Sequence, residues 1–243
     1  MILRKWEDLP ENMRTPEVKE YYDILYKRRG QLFLKRVWDI FVATVIILVI
    51  WWFMAGLALA IVLDSKGPVF YRQVRVTRYG EPFRIFKFRS MVADADKKGS
   101  SVTQDHDSRI TRVGKFVRKI RADEFCQVID ILRGKMTFVG TRPEVPKYVE
   151  HYTPEMMATL LLPPGATSEC SIYYKDEEKI LNGLSPEEVD KVYVEKILPE
   201  KMKYNLASLK KFTFGYECNI MWKSVWAVLG KEYSEKDFEV KQK

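Results

Sequence analysis

Two adjacent acidic residues, Asp123 and Glu124, lie in a strongly basic part of the chain. The lysines and arginines that surround them between residues 109 and 143 are Arg109, Arg112, Lys115, Arg118, Lys119, Arg121, Arg133, Lys135 and Arg142. Basic neighbours favour the ionised form of a carboxylate, and they also bind the anionic oxygens of a phosphoryl group. The pattern therefore predicts a metal-assisted phosphoryl-transfer site.

We expect the two carboxylates to lie in a helix or at the start of one. Apolar residues at helical spacing run through 110–120 and again through 125–132, and Gly134 ends the pattern. Consecutive helical residues point about 100° apart, because one turn contains 3.6 residues. The two side chains can therefore have different roles, one attacking a substrate and the other holding a metal.

A β-hairpin is predicted upstream. Residues 69–76 and 82–88 are rich in aromatic and β-branched side chains, and Gly80 lies in the turn between them. Apolar and basic residues alternate along both segments, which predicts one packed face and one cationic face. Both a ligand-binding face and a solvated basic face fit this alternation.

Residues 40–63 form a long apolar segment without a single charged side chain. Its 24 residues exceed the roughly 20 that cross a bilayer as a helix. A cleaved signal peptide fits badly, because the segment begins far from the N-terminus and no small-x-small cleavage site follows it. We predict a membrane helix over 36–63. The alternative, a buried helix of a soluble core, fits poorly because the segment has no polar face.

The charges that flank this segment give no orientation. Five basic residues precede it and five follow it: Lys27, Arg28, Arg29, Lys35 and Arg36, then Lys66, Arg72, Arg75, Arg78 and Arg84. This balance favours a re-entrant helix with both ends in the cytoplasm over a spanning one. A re-entrant helix needs a break, and Gly56 is the position that the sequence offers for it.

Composition restricts the partners and the chemistry. The chain has 243 residues, of which 47% are hydrophobic, and a net charge of +8. It is long enough to bury a core, and its charge indicates anionic partners such as phosphorylated substrates, anionic lipids or nucleic acid. Cys126, Cys170 and Cys218 form no metal-binding or disulfide motif, and two histidines make a histidine-rich metal centre a poor hypothesis.

Two amphipathic stretches lie outside the predicted site. Residues 18–26 have a pattern that fits a helix on a membrane surface. Residues 220–229 are mostly apolar and carry two tryptophans, which are enriched at membrane interfaces. Packing into the protein core explains the second stretch equally well.

Six strings, in this order, carry a family resemblance. They are K-R-V-W-D at 35–39, D-S-K-G-P-V-F-Y-R-Q at 64–73, F-K-F-R-S-M at 86–91, R-I-T-R-V-G-K-F-V-R-K at 109–119, D-E at 123–124 and V-G-T-R-P-E-V-P at 139–146. Together they resemble the bacterial sugar transferases, and more specifically the monotopic polyprenyl-phosphate phosphoglycosyl transferases. The resemblance runs from about Lys35 to Leu229.

The resemblance implies an α+β fold that is mainly helical. An N-terminal re-entrant (or spanning) membrane helix, a β-hairpin and interfacial amphipathic helices would surround a cytoplasmic catalytic core. We expect an N-terminal extension over 1–35, the membrane helix over 36–63, the transferase domain over 64–230 and a charged tail over 231–243. The expected location is the inner (cytoplasmic) membrane of a bacterium, with the catalytic domain facing the cytoplasm.

The resemblance also implies a reaction. Asp123 would attack the β-phosphorus of a UDP-sugar, release UMP and form a phosphosugar-aspartyl intermediate, which polyprenyl (undecaprenyl) phosphate then attacks. Glu124 would bind Mg²⁺, the expected cofactor. Arg118 and Arg142 match the phosphate-binding arginines of the family.

Further candidates and partners follow from the same resemblance. Lys87 and Arg89 are weaker candidates for substrate phosphates or lipid head groups, and a structural role explains them equally well. The expected partners are the UDP-sugar, polyprenyl phosphate and membrane lipids, without nucleic acid, and a homodimer is compatible with the sequence.

Several positions depart from the family pattern. Trp51, Trp52 and Phe53 replace the usual Ser-Pro break of the membrane helix, and Cys126, Lys135, Thr141 and Asn205 replace other usual residues. These departures leave open a second hypothesis, a catalytically weak, membrane-anchored scaffold of a glycan pathway. A membrane-tethered nucleic-acid binder has only the net charge in its favour.

Overall fold

The computed structural model describes residues 1–93, 95, 107–173, 181 and 184–233. This part of the chain is mainly helical and contains two small sheets. Its α-helices are α1 (Pro16–Lys27), α2 (Arg29–Asp64), α3 (Arg112–Lys119), α4 (Gln127–Leu132), α5 (Pro146–Val149), α6 (Glu169–Tyr173), α7 (Pro186–Val192), α8 (Leu198–Lys211) and α9 (Phe214–Val228). Its strands are β1 (Phe70–Val76), β2 (Pro82–Phe88), β3 (Thr137–Val139) and β4 (Gly165–Thr167).

Helix α2 contains the apolar segment and is unbroken. At 1.5 Å per residue, its 36 residues extend for about 54 Å. The expected break at Gly56 is absent, because a single glycine costs a helix only about 1 kcal/mol and no proline interrupts the hydrogen bonds. Nothing lies within 4 Å of the position that a Cβ of Gly56 would occupy, so no neighbour forces a bend there.

Both halves of α2 pack on the same globular unit. In the first half, Ala43 is fully buried in a cluster with Ile131 and Met136. In the second half, Leu57 and Ile61 pack in a cluster with residues of β2, α3 and the Asp123 region. The opposite side of the helix remains exposed and apolar: Val45, Leu48, Val49, Trp51, Trp52, Leu59, Val62 and Leu63.

Strands β1 and β2 pair antiparallel, with Tyr71 opposite Lys87 and Arg75 opposite Phe83. The predicted division into a packed face and a cationic face is wrong. Opposite residues share a face, so Phe83 lies on the same face as Arg75 and Lys87. Phe83 and Phe88 lie on opposite faces and are both buried, in different hydrophobic clusters, because the hairpin is covered on both sides.

Strands β3 and β4 pair in parallel and come unusually close at two glycines. A Cβ at Gly165 would lie 2.2 Å from the backbone nitrogen of Gly140. Only glycine permits this approach. The contact fixes the chain just before Thr141 and Arg142.

Helix α1 belongs to the protein core. Its apolar residues Val18, Tyr21 and Leu25 are buried in a cluster with Leu161 and Phe212. The expectation that this face lies on a membrane is therefore corrected, since protein covers it.

Helix α9 is divided between core and surface. Ile220 is fully buried, whereas Trp222, Val225, Trp226 and Val228 are exposed. Its first turn contacts α2, where the rings of Phe214 and Trp38 lie 6.2 Å apart. The polar region 93–108 and the charged tail 231–243 lie largely outside the described residues.

Candidate active site

Asp123 and Glu124 lie on a tight turn between α3 and α4. The turn is a single 3₁₀ turn, Ala122–Glu124. Arg121, just before it, has a left-handed backbone with φ of 54°, which ends the helical path of α3. The carboxylates thus precede α4 instead of lying within a long helix.

Buried neighbours anchor this turn. Ala122 and Cys126 are fully buried in the cluster that contains Leu57 and Ile61 of α2. The Cys126 thiol donates a hydrogen bond of 3.5 Å to the carbonyl of Asp123. Burial raises the pKa of Cys126 to about 12, so the thiol stays protonated and has a structural role. Helix α2 is therefore part of the support of the site.

Glu124 is held by two cations from distant parts of the chain. Its Oε1 accepts a 2.6 Å hydrogen bond from Nη2 of Arg142 and a 3.2 Å bond from Nζ of Lys87. Burial alone would raise the pKa of Glu124, but Arg142 and Lys87 outweigh it and lower the pKa to about 2. Glu124 is therefore a carboxylate at neutral pH.

Asp123 differs from its neighbour. Burial and the negative charge of Glu124 raise the pKa of Asp123, while Lys87 and Arg118 act in the opposite direction. Within the described ranges no ion pair involves its side chain, which is half-buried. A more basic carboxylate that no other side chain occupies is suited to attack an electrophile.

The other predicted phosphate ligands lie in different places. Arg118 lies on α3, is half-buried and contributes its charge to both Asp123 and Asp107. Lys87 and Arg142 contact Glu124 directly. These residues converge with the acidic pair on one site.

Arg89 is placed elsewhere. Its guanidinium is buried and donates to the carbonyls of Ser65 (2.6 Å), Lys66 (2.8 Å) and Ile61 (3.3 Å). These carbonyls lie at the end of α2, where a cation is favoured by the helix dipole. The arrangement favours the structural alternative for Arg89.

Three of the basic residues around the acidic pair in sequence have other partners. Arg109 binds the carboxylate of Asp107 and the carbonyl of Ala95. Lys135 pairs with Glu81, and Arg133 lies over the ring of Phe86. The basic character of the site therefore comes from a few residues, one of them on the hairpin and far away in sequence.

The structure also brings two unpredicted residues to the site. Arg75 and Gln127 line a small pocket together with Lys87 and Arg142. The available signals were weak. Arg75 is one of several basic residues in the hairpin, and Gln127 lies within a segment whose apolar spacing predicts a helix.

The carboxylates present fit a magnesium ion. Magnesium usually binds through one or two protein carboxylates and substrate phosphate oxygens. Glu124 supplies one ionised carboxylate, and Asp123 lies beside it. Among the described residues no group of three or more metal-binding side chains occurs. Glu124 would be the protein ligand of such an ion.

Three of the departures from the family pattern, Asn205, Thr141 and Lys135, do not line the pocket beside Lys87. Asn205 is buried and donates a weak hydrogen bond to the sulfur of Met202. With Thr141 and Glu217, it lines a cavity other than the pocket beside Lys87. Lys135 lies at the surface in its pair with Glu81.

Comparison with known proteins agrees with this geometry. The sequence profile described as "Bacterial sugar transferase" matches residues 30–231. A protein of Aeromonas hydrophila, named UDP-N-acetylgalactosamine-undecaprenyl-phosphate N-acetylgalactosaminephosphotransferase, is 41% identical over 51% of this chain and 29% of its own. Two further relatives are named UDP-glucose:undecaprenyl-phosphate glucose-1-phosphate transferase. The protein from Escherichia coli is 39% identical over 67% of this chain and 35% of its own length. The protein from Caulobacter vibrioides is 37% identical over 55% of this chain and 51% of its own length.

The matched segments span between about a third and a half of these relatives. The profile, in contrast, matches most of the present chain and includes Lys87, Asp123, Glu124 and Arg142. The chain therefore belongs to the bacterial sugar transferase family.

Proposed function

We propose that the protein transfers a sugar 1-phosphate from a UDP-sugar to undecaprenyl phosphate. The names of its relatives support this reaction class. The observation that carries the proposal is the contrast between two neighbouring carboxylates: Asp123 has no ion-pair partner among the described residues, whereas Arg142 and Lys87 neutralise Glu124. Two adjacent carboxylates in such different environments suit a nucleophile and a metal ligand.

In the first step, a carboxylate oxygen of Asp123 attacks the phosphorus that bears the sugar. A bond forms between that oxygen and the phosphorus, and the bond from the phosphorus to the bridging oxygen breaks. The bridging oxygen leaves with the electron pair as part of UMP. Asp123 then carries the phosphosugar as an acyl phosphate.

In the second step, an oxygen of undecaprenyl phosphate attacks the same phosphorus. The bond to Asp123 breaks, and its carboxylate is regenerated. The product is undecaprenyl diphosphosugar, and the kinetics are ping-pong. Asp123 thus takes the phosphosugar from the donor and passes it to the acceptor at a single site.

The basic residues stabilise the phosphoryl oxygens. Lys87 and Arg142 now bind Glu124, and a phosphoryl group can take over their N–H donors because its oxygens accept in the same way. Magnesium, bound by Glu124, would neutralise charge on the diphosphate and its leaving group. Arg118 would lower the energy of the negative charge that develops near Asp123.

The position of α2 supports a membrane location at the surface of the bilayer. If the helix crossed the bilayer, the domain packed along both of its halves would enter the hydrocarbon with its charged groups, at a high cost. We propose instead that α2 lies along the cytoplasmic face, with its exposed apolar side and the exposed tryptophans of α9 in the lipid.

Cysteine labelling tests this topology. Asn12→Cys and Lys66→Cys introduce exposed thiols before and after α2, and the wild type is the background control. Both thiols are expected to react with a membrane-impermeant reagent only when the cytoplasmic face is accessible. Labelling of Cys at position 12 from the outside contradicts the proposed topology.

Release of UMP tests the reaction. The purified protein is incubated with magnesium, undecaprenyl phosphate and each of several UDP-sugars, beside an Asp123→Asn variant. We expect UMP with at least one sugar and a loss on the order of 1,000-fold or more in the variant. If no sugar yields UMP, the scaffold hypothesis replaces the enzyme.

A further inference from the structure

Gln127, the first residue of α4, has an unusual environment. The residue is 4% exposed, and within the described part of the chain its side-chain amide makes no hydrogen bond. The amide keeps some contact with solvent, because the buried side-chain atoms that lack a partner among the described residues belong to Arg72 and Arg89. A ligand that replaces this solvent can therefore supply hydrogen bonds to the amide.

The amide lines the small pocket beside Glu124. Three basic side chains, Arg75, Lys87 and Arg142, line the same pocket. They come from β1, β2 and the loop after β3. A group bound in this pocket thus meets donors from several directions.

Arg75 is held rigidly at this pocket. Its Nε and Nη2 donate to Oε1 of Gln73 at 3.1 and 2.7 Å, and its Nη1 donates to the carbonyl of Pro143 at 3.0 Å. A guanidinium has five N–H groups. Among the described residues, these bonds use three of the five N–H groups, so two can donate to a ligand.

The charges favour an anion of low net charge. Glu124 already offsets part of the positive charge of Lys87 and Arg142, and Glu144 acts on Arg75. A single phosphoryl group, in a nucleotide or in a lipid phosphate, carries a small charge but has several oxygens that accept hydrogen bonds. A neutral amide beside the cations suits such a group, since it adds a donor without adding charge.

We propose that Arg75 and Gln127 bind a phosphoryl group of a substrate, together with Lys87 and Arg142. The identity of the substrates rests on the proposed function. The phosphoryl group belongs either to the nucleotide side of the donor or to the acceptor lipid. Both share the same chemistry, and binding measurements distinguish them.

The test uses Arg75→Gln and Gln127→Met in the full-length protein. Arg84→Gln is the matched control, because Arg84 is an exposed arginine of the same hairpin that does not line the pocket. Affinities are measured by titration for UMP, for uridine and for undecaprenyl phosphate in detergent micelles. Thermal unfolding checks that each variant is folded, and Gln127→Glu replaces Gln127→Met if the latter is not.

The two variants are expected to bind at least one phosphate ligand about 10-fold more weakly, the loss of one charge-assisted hydrogen bond. A weaker affinity for UMP with unchanged affinity for uridine assigns the pocket to the donor, and a weaker affinity for the lipid assigns it to the acceptor. Wild-type affinity for both phosphate ligands in both variants overturns the proposal.

The binding titrations need no turnover, so they test the pocket independently of the proposed reaction. A wild type that binds UMP through Arg75 and Gln127 but yields no UMP from any UDP-sugar contradicts only the proposed reaction. A wild type that turns over, with variants of unchanged affinity for UMP and lipid, contradicts only the pocket.

Discussion

Arg142 donates a 2.6 Å hydrogen bond to the carboxylate of Glu124, from a position 18 residues further along the chain. The close packing of Gly140 against Gly165 fixes the backbone that leads to Arg142. Glu124 thereby accepts hydrogen bonds from N–H groups that can also donate to a phosphoryl group. The site is arranged for an anion before a substrate arrives.

The first prediction concerns Arg142. We expect Arg142→Gln to raise KM for the UDP-sugar about 10- to 100-fold, because a charge-assisted hydrogen bond to a phosphoryl oxygen is lost. Arg142→Lys should recover part of the loss, since it restores the charge without the planar fork. Steady-state kinetics measures both. Lys115→Gln, an exposed charge on α3, is the control, and an equal effect there would indicate a general electrostatic cause.

The second prediction concerns pH. In the proposed reaction Asp123 attacks as a carboxylate, and burial raises its pKa above the ordinary value of 3.8. The rate of UMP formation should therefore fall on acidification, with an apparent pKa above 3.8. Lys87 lowers the pKa of Asp123, so Lys87→Met should move the acid limb to higher pH. Rapid-quench measurement of the first turnover across pH tests this. An acid limb at the same pH in both proteins would contradict the role of Lys87.

The third prediction concerns the attachment of α2. Lys35 of α2 forms a buried ion pair with Glu217 of α9 and donates a 2.9 Å hydrogen bond to the carbonyl of Val139. Removing one partner leaves a buried charge, at a cost of about 3–5 kcal/mol. Lys35→Met and Glu217→Leu should each lower Tm strongly, and the double variant should lose much less than their sum.

The exposed pair of Lys147 and Asp190 provides the comparison for this cycle. Its removal should change the free energy of unfolding by less than about 1 kcal/mol, because solvent screens it. Additive losses for Lys35 and Glu217 would show that the two charges do not stabilise each other.

The fourth prediction separates Arg89 from Lys87. Arg89→Met removes three hydrogen bonds to the end of α2 and should lower Tm while KM of the folded enzyme for the UDP-sugar stays unchanged. Lys87→Met should raise KM for the UDP-sugar and leave Tm unchanged. Parallel measurements of thermal unfolding and of KM test both expectations. A raised KM at unchanged Tm for Arg89→Met would restore Arg89 to the phosphate site.

The acidic pair is visible in the sequence. Adjacent carboxylates among basic residues predict different roles for Asp123 and Glu124, and the pKa values of the two side chains shift in opposite directions. The roles themselves stay a prediction. The family resemblance was confirmed over most of the chain. The long apolar helix was also predicted, because its composition admits few other structures.

The other features of the site depend on tertiary contacts, which the sequence alone does not show. Arg89 and Lys87 are two residues apart, a spacing that would place both on one face of a continuous strand. Strand β2 ends at Phe88, and Arg89 beyond it caps α2 while Lys87 faces Glu124. Arg75 and Gln127 meet only because the hairpin packs near the start of α4. Helix α2 has no break at Gly56, because a single glycine costs a helix little and no neighbour forces a bend there.

The central claim is that Asp123 carries the phosphosugar. Its most direct test is the intact mass of the protein after incubation with magnesium and the UDP-sugar that supports UMP release, without undecaprenyl phosphate. The account predicts an increase by one sugar phosphate less one water, located on Asp123 by peptide fragmentation, removed when undecaprenyl phosphate is added and absent in Asp123→Asn. UMP released in stoichiometric amounts without any added mass, or an adduct that persists in Asp123→Asn, would contradict it.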